Sequence, residues 1–181
     1  RDQEKKEYKD VNSLLDYCDL SANPVGEIVL HIMGYKDEKL INLSNSICSA
    51  LQITNFLQDI VRDKKIGRVY IPSEIMRNHK VSKDMFEEKY QHNDDSKKNI
   101  TNLLNEMIHI NRNLYNSGNI LPKLLTKKDR TIIQIFIDSG EKILSKIEKR
   151  KYNSLFNKPS TNKFEKFQII LKSILKSTFI K

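Results

Sequence analysis

The chain has 181 residues, of which 38% are hydrophobic and 30% are charged. This composition predicts one soluble globular domain over residues 1–181, long enough to bury a core. The formal net charge of +9 indicates an anionic partner, which could be a nucleic acid, a membrane or a substrate. The lysines are scattered, and no basic motif interleaved with aromatic residues occurs, which disfavours nucleic-acid binding. No apolar run approaches the length that a membrane span requires.

The glycines and prolines are few, and alternation of β-branched residues is absent, so an all-α protein is predicted. A first helix is expected over residues 4–33, kinked at Pro24 because proline removes a backbone donor. A turn at residues 34–37 precedes a second helix over residues 38–63. Cys18 and Cys48 fall on these helices and are expected to be buried free thiols, which favours a cytoplasmic location.

Shorter and more polar segments follow. A basic loop is expected at residues 64–72, then short helices over residues 73–79 and 83–90, capped by Ser73 and Ser82, and a linker at residues 91–96. Longer helices are predicted over residues 97–117, 127–151 and 163–180. The last of these carries apolar residues on one side and lysines on the other. This pattern favours a helix whose apolar face packs on the core; the alternative is peripheral attachment to the inner membrane surface.

One face of the second helix carries a candidate metal site. Gln52, Asn55, Asp59 and Asp63 recur at spacings of three and four residues, so they share that face. Two carboxylates one turn apart repel each other unless a cation lies between them. Hard cations such as Mg²⁺ bind carboxylate oxygens and leave room for phosphate oxygens. A polyphosphate could be neutralised by the cations that follow: Arg62, Lys64, Lys65 and Arg68. The face therefore predicts a Mg²⁺–diphosphate site, and a solvated acidic face is the alternative.

A second candidate feature is the group of small residues in the first helix. Ser21, Ala22 and Gly26 would leave a groove that another group could enter. Tight packing against a neighbouring helix would explain the same residues equally well, and the sequence leaves both interpretations open.

Three separated segments resemble the squalene/phytoene synthase family: YCDLSANPVG at residues 17–26, ALQITNFLQDIVRD at residues 50–63 and GRVYIP at residues 67–72. Residues 143–163 also resemble part of the family's final two helices and the loop between them, so the resemblance covers nearly the whole chain. The Asn-Pro-Val-Gly segment is most similar to the bacterial hydroxysqualene synthase branch of hopanoid biosynthesis.

The resemblance implies an all-α isoprenoid synthase fold with a central cavity. It also implies Mg²⁺-dependent ionisation of presqualene or farnesyl diphosphate, followed by rearrangement to hydroxysqualene or squalene. Asp59 and Asp63 match the second aspartate-rich motif, with Asn55 as a further metal ligand and Gln52 beside the diphosphate. The remaining site residues implied are, for the cavity wall, Tyr17, Ser21, Ala22 and Gly26, and, near the diphosphate, Arg62, Arg68 and Tyr70.

Members of the family carry a first aspartate-rich motif upstream of the segment that matches Tyr17. The 16 residues before Tyr17 have no room for it, so we expect an N-terminally truncated member that is inactive alone. The alternatives are a non-catalytic relative that acts as an assembly factor or scaffold, and phytoene synthase-type condensation of geranylgeranyl diphosphate. Retention of Asn55, Asp59 and Asp63 together favours the enzyme. The sequence predicts no oligomeric state.

Overall fold

The computed structural model of the chain describes residues 7–90 and 93–179. Within these residues the regular structure is helical, apart from one isolated bridge between Glu7 and Val69. The predicted all-α class is therefore confirmed. The helices are α1 Val11–Ser21, α2 Asn23–Ile32, α3 Glu38–Lys65, α4 Ser73–Asn78, α5 Asp94–Gly118, α6 Leu121–Leu124, α7 Lys127–Arg150 and α8 Lys163–Phe179.

The predicted first helix is two helices that meet at Ala22. α1 begins at Val11 because the Asp10 side chain accepts a hydrogen bond from the Ser13 amide at 2.8 Å, forming a capping box. Residues 7–10 precede this cap and are not helical, so the predicted start at residue 4 is wrong; residues 4–6 themselves lie outside the described part. Pro24 lies in the first turn of α2, where a missing amide donor costs little.

The second helix, α3, begins at the predicted residue and ends two residues later than predicted. It lies at the centre of the fold and contacts α1, α2, α5, α6 and α7. Its buried side chains include Ile53, Phe56, Leu57 and Ile60. A central helix of this kind fixes the orientation of any polar residue at its rim, because the buried side chains prevent it from rotating.

Several predicted ends need correction. Pro72 occupies the cap position of α4 and Ser73 lies inside the helix. Ser82 makes no side-chain cap, and two 3-10 segments, Lys83–Phe86 and Glu88–Tyr90, replace the helix predicted after it. α5 begins at Asp94, within the predicted linker, because Asn93 accepts a hydrogen bond from the Ser96 amide at 2.8 Å. The short helix α6 was not predicted.

A buried polar cluster joins α3 to α5. The Thr54 hydroxyl donates to the Ala50 carbonyl at 2.8 Å, accepts from the Asn111 amide at 2.9 Å and lies 3.0 Å from the Tyr115 hydroxyl. With its one proton already used, Thr54 accepts from Tyr115 as well, so its hydrogen-bonding capacity is filled. On α7, Gly140 packs directly on the Tyr115 ring.

The last helix, α8, is oriented opposite to the prediction. Ser173 and Ser177 are buried against the rest of the chain, whereas Phe164 is 67% exposed and Phe167 is 61% exposed. The physical reason is Asp138 on α7, which accepts from Ser173 at 3.0 Å and from Lys176 at 2.6 Å. These polar contacts draw the serine edge of α8 onto α7 and leave most of its apolar side chains outside.

Candidate functional site

The acidic face of α3 keeps the arrangement expected from its spacing, because α3 is continuous from Glu38 to Lys65. Asp59, Asp63 and Gln52 are half-buried at the rim of the core, and Asn55 is exposed. The two carboxylates are therefore accessible to a ligand and are also held by a rigid element.

Asp59 has a partner that sequence reasoning missed. Both of its carboxylate oxygens accept hydrogen bonds from the ammonium of Lys158, at 2.5 and 2.7 Å. Arg62 on the next turn of the helix lies 3.8 Å from the same carboxylate. Lys158 is separated from Asp59 by 99 residues, so only the folded chain brings them together.

The surroundings of Asp63 shift the pKa of its carboxyl. Burial raises the pKa of the Asp63 carboxyl above its usual range, and the nearby Asp59 carboxylate raises it further. The cations Arg62, Arg68 and Lys158 oppose this shift. Two carboxylates that repel each other at the edge of a core favour the binding of a further cation between them.

The loop after α3 turns back towards these acids. The amides of Ile66 and Arg68 both donate to the carbonyl of Asp63, at 3.1 and 2.9 Å, and Gly67 adopts a positive φ of 78° that the turn requires. The Arg68 guanidinium lies 3.5 Å from the Tyr70 hydroxyl. Arg68 and Tyr70 are thus placed together beside Asp63.

The sequence indicated that Lys64 could neutralise a polyphosphate beside the acids, but its ammonium makes other contacts. Its ammonium pairs with Glu87 and lies 3.8 Å from Asp84, both in the segment after α4. These contacts occupy the Lys64 side chain and fasten the segment at residues 83–90 to α3. The cations that face the acids are instead Arg62, Arg68 and Lys158.

Tyr17 and Tyr70 meet in an aromatic cluster with Phe56 and Tyr8. The rings of Phe56 and Tyr70 are stacked, with centroids 3.8 Å apart, and the Tyr17 ring lies 5.8 Å from Tyr70 and 6.1 Å from Phe56. Tyr8 stacks on Tyr70 at 5.7 Å and was not predicted to take part. The cluster joins α1 to α3 next to the acidic face, since Phe56 is one turn before Asp59.

An apolar groove of about 130 Å³ opens on another side of α3. Gly26 lines it, as the sequence predicted of a cavity residue, together with residues of α2, α3, α6 and α7. The remaining lining residues are Val25, Val29, Ser44, Ile47, Cys48, Leu51, Leu121, Ile133 and Phe136. Ser21 and Ala22 lie half-buried at the junction of α1 and α2, and the Ser21 hydroxyl bonds to the Tyr17 carbonyl at 2.8 Å.

Asn23 fixes this small-residue segment and was also missed. It is buried, accepts a hydrogen bond from Ser49 on α3 at 3.0 Å and donates to Asp19 at 2.6 Å. The signal for it was its place between small residues and proline, where a buried amide can bond to two helices. Asn23 therefore sets how α2 approaches α3.

The sequence model of the squalene/phytoene synthase family matches residues 1–165. The chain belongs to the squalene/phytoene synthase family. Two solved structures show the same fold. A squalene synthase from Alicyclobacillus acidocaldarius is 31% identical, with a TM-score of 0.76 over 84% of this chain and 56% of that one. A dehydrosqualene synthase solved with a ligand is 26% identical, with a TM-score of 0.83 over 98% of this chain and 62% of that one.

Curated relatives agree with this membership. The hydroxysqualene synthase of Zymomonas mobilis is 41% identical over 78 residues, which are 42% of this chain and 26% of that protein. The presqualene diphosphate synthase of Rhodopseudomonas palustris is 46% identical over 65 residues, 36% of this chain and 23% of that protein. The matched stretches thus span about a quarter of these relatives.

Asp59 and Asp63 could supply part of the ligand set of a Mg²⁺ ion. Among the described residues no group of three or more histidine, cysteine, aspartate or glutamate side chains could hold a metal ion. Asp59 and Asp63 supply two carboxylates, and Asn55 could add an amide oxygen. Mg²⁺ is commonly bound by only one or two carboxylates together with water and substrate phosphates. Burial, and then the nearby Asp59 carboxylate, raise the pKa of Asp63, and a cation bound beside both acids would oppose this shift.

A pocket of about 350 Å³ adjoins Asp59, between α3 and the segment that leads to α8. Three cations line it, Arg62, Lys65 and Lys158. Arginine and lysine side chains that converge beside a carboxylate form a site for a polyanion such as a diphosphate. In this member of the squalene/phytoene synthase family, the cation-lined pocket and the apolar groove both border α3.

Proposed function

We propose that this chain carries part of the active site of a Mg²⁺-dependent synthase that ionises presqualene or farnesyl diphosphate. The resulting carbocation would rearrange to hydroxysqualene or squalene. The observation that supports this most is the position of Asp59, one turn before Asp63, at a cation-lined pocket on α3, the helix that also lines the apolar groove. The diphosphate and the prenyl chain of one substrate could thus be bound along a single rigid element.

The polar residues would bind the leaving group. Asp59, Asp63 and Asn55 would hold Mg²⁺, which when bound neutralises charge on the departing diphosphate. Arg62 and Arg68 would add charge-assisted hydrogen bonds to its oxygens, and Gln52 would donate an amide hydrogen bond. Preorganised donors of this kind stabilise the charge that develops as the carbon–oxygen bond breaks.

The apolar residues would protect the cation. Gly26 and its apolar neighbours in the groove would exclude water around the prenyl chain, and the small side chains of Ser21 and Ala22 would let it approach the α1–α2 junction. Tyr17 and Tyr70 present aromatic rings beside the acidic face, and an aromatic face attracts a cation by its quadrupole. Premature capture of the carbocation by solvent would thereby be limited.

Sequence similarity supports a squalene-type reaction over a phytoene-type one. Identity to the hydroxysqualene synthase of Zymomonas mobilis is 41% over 78 residues, against 30% over 73 residues for a 15-cis-phytoene synthase from a Paracoccus species. The presqualene diphosphate synthases are 46% and 43% identical over shorter stretches. We therefore propose presqualene or farnesyl diphosphate as the substrate.

Turnover of these two diphosphates by the protein that contains this chain tests the proposal, with products identified by mass spectrometry. We expect Mg²⁺-dependent hydroxysqualene or squalene, and a loss of about 100-fold or more in kcat for Asp59→Asn and Asp63→Asn. Asp94→Asn, which changes an exposed carboxylate in the first turn of α5, is the matched control and should keep full activity. Equal activity in all three variants would refute the metal assignment, and phytoene as product would assign the other branch.

The exposed face of α8 supports attachment to an anionic membrane surface, where prenyl lipids are handled. None of the described helices is long and apolar enough to span a membrane. Helical spacing places Lys166 and Lys172 at the two edges of the exposed apolar face, an arrangement that suits acidic lipid headgroups. Co-sedimentation with phosphatidylglycerol vesicles should occur and should weaken in Phe164→Ser/Phe167→Ser. Equal sedimentation of this double variant would exclude α8 as the contact.

A further inference from the structure

We propose that Lys158 is a positioning residue that exchanges between two anions: it holds the Asp59 carboxylate, and it transfers to the diphosphate when a divalent cation takes the Asp59 oxygens. This inference rests on the proposed function, since it assigns a further residue to the same site. It follows from the contact between Lys158 and both oxygens of Asp59, at 2.5 and 2.7 Å.

The backbone around Lys158 is fixed, while its side chain is accessible. The Gln58 amide donates to the Pro159 carbonyl, and Arg150 donates to the Asn157 carbonyl at 3.1 Å. These bonds hold the residues on either side of Lys158 against α3 and α7. The Lys158 side chain itself is 51% exposed. A long, flexible stem on an anchored backbone can swing its ammonium between neighbouring acceptors without moving the loop.

The charges around the pocket favour such a transfer. Lys158 lines the same pocket as Arg62 and Lys65, so an anion bound there would meet three cations. A diphosphate carries more negative charge and more acceptor oxygens than one carboxylate. An ammonium with three donors therefore gains more from the diphosphate than from Asp59, provided that another cation replaces it on the aspartate.

The competition has a signature that a purely structural ion pair lacks. Lys158 and a divalent cation use the same oxygens of Asp59, so removal of Lys158 should raise the affinity for the metal alone. The same change removes one of the three pocket cations, so it should lower the affinity for a diphosphate. A lysine that only braced the loop would change the two affinities in the same direction or not at all.

The experiment uses the full 181-residue chain with Mn²⁺ as the metal probe, followed by electron paramagnetic resonance, and inorganic pyrophosphate as the anion probe, followed by calorimetry in the presence of Mn²⁺. For Lys158→Met we expect Mn²⁺ to bind about 2- to 5-fold more tightly, since an exposed ion pair is worth at most about this factor. Pyrophosphate should bind about 10-fold more weakly, because one charge-assisted hydrogen bond is lost. Lys158→Arg, which keeps the charge, should restore most of the pyrophosphate affinity.

Lys176→Met is the matched control, because Lys176 makes a similar bridge to Asp138, at 2.6 Å, away from the acidic face. It should leave both affinities unchanged. Asp59→Asn and Asp63→Asn separate the two hypotheses. If Mn²⁺ binding depends on these aspartates but Lys158→Met leaves both affinities as they were, the inference is wrong and the proposed function stands. If wild-type Mn²⁺ binding is absent or does not depend on them, the metal assignment fails and the inference fails with it. Circular dichroism confirms that each variant is folded.

Discussion

A Cβ atom added to Gly26 would lie 2.4 Å from the Cys48 sulfur and 2.6 Å from the Ser44 hydroxyl oxygen. Real Cβ atoms do not approach other atoms so closely, so α2 and α3 meet at a distance that only glycine permits. Gly26 also lines the apolar groove. The sequence left open whether Gly26 serves tight helix packing or lines a groove. In the structure this one residue does both.

Gly26→Ala should therefore destabilise the fold. Forcing a methyl group into this contact should cost about 1–3 kcal/mol, because α2 must move away from α3. Thermal unfolding followed by circular dichroism measures the loss. The same substitution in a Ser44→Ala/Cys48→Ala background, where both close atoms are absent, should cost clearly less. An equal cost in the two backgrounds would mean that these contacts are not its cause.

Thr54→Val should lower the free energy of unfolding more than most conservative substitutions do. It preserves shape but leaves the buried Asn111 amide and the Tyr115 hydroxyl without their common partner, at a cost of about 2–4 kcal/mol. Urea unfolding at neutral pH provides the free energy. Thr101→Val is the control, since the Thr101 hydroxyl bonds only to the Lys97 carbonyl on its own helix, at 2.7 Å. Similar losses in both variants would argue against a special role for the Thr54 cluster.

The stability of the chain should fall in alkaline solution because the Cys18 thiol ionises more readily in the unfolded state. Burial, and then the nearby Asp19 carboxylate, raise the pKa of the Cys18 thiol from 9.0 to about 12, with a bond to Ser49 opposing the shift. Above pH 9 the unfolded thiol loses its proton while the folded thiol keeps it, so the free energy of unfolding decreases between pH 9 and pH 12. At pH 10 this amounts to about 1 kcal/mol.

Urea unfolding at pH 8 and pH 10, under reducing conditions, tests this prediction. The loss between the two pH values should be smaller in Cys18→Ala by about 1 kcal/mol, even though the variant is less stable at both. The comparison between variants matters because burial also raises the pKa of Tyr115, which both chains share. An identical pH dependence in the two chains would show that Cys18 does not ionise on unfolding in this range.

The orientation of α8 predicts opposite outcomes for two of its apolar residues. Ile169→Ala should cost about 2–4 kcal/mol, because Ile169 is buried against the rest of the chain. Phe167→Ala should change the free energy of unfolding by less than about 0.5 kcal/mol, because that ring is exposed. Thermal unfolding distinguishes them, and a larger loss for Phe167→Ala would mean that the apolar face is inside.

Local patterns predicted that the residues of the candidate site would share one face of α3. The spacing of Asn55, Asp59 and Asp63 required only that α3 be a continuous helix, and helical periodicity is a property of neighbouring residues. Lys158 could not be found in this way. Its contact with Asp59 joins residues 99 positions apart, and many other lysines of the chain were equally plausible partners for the carboxylate.

The sequence by itself determined the helical class, the continuity of α3, the acidic face upon it and the family to which the motifs belong. These follow from periodicity and from motif order, which do not depend on how the helices pack. Tertiary structure alone decided which cation meets Asp59, how closely Gly26 approaches Cys48, and which side of α8 faces inward. For α8 the sequence favoured an apolar face packed on the core, whereas the polar contacts of Asp138, a residue on another helix, set the opposite orientation.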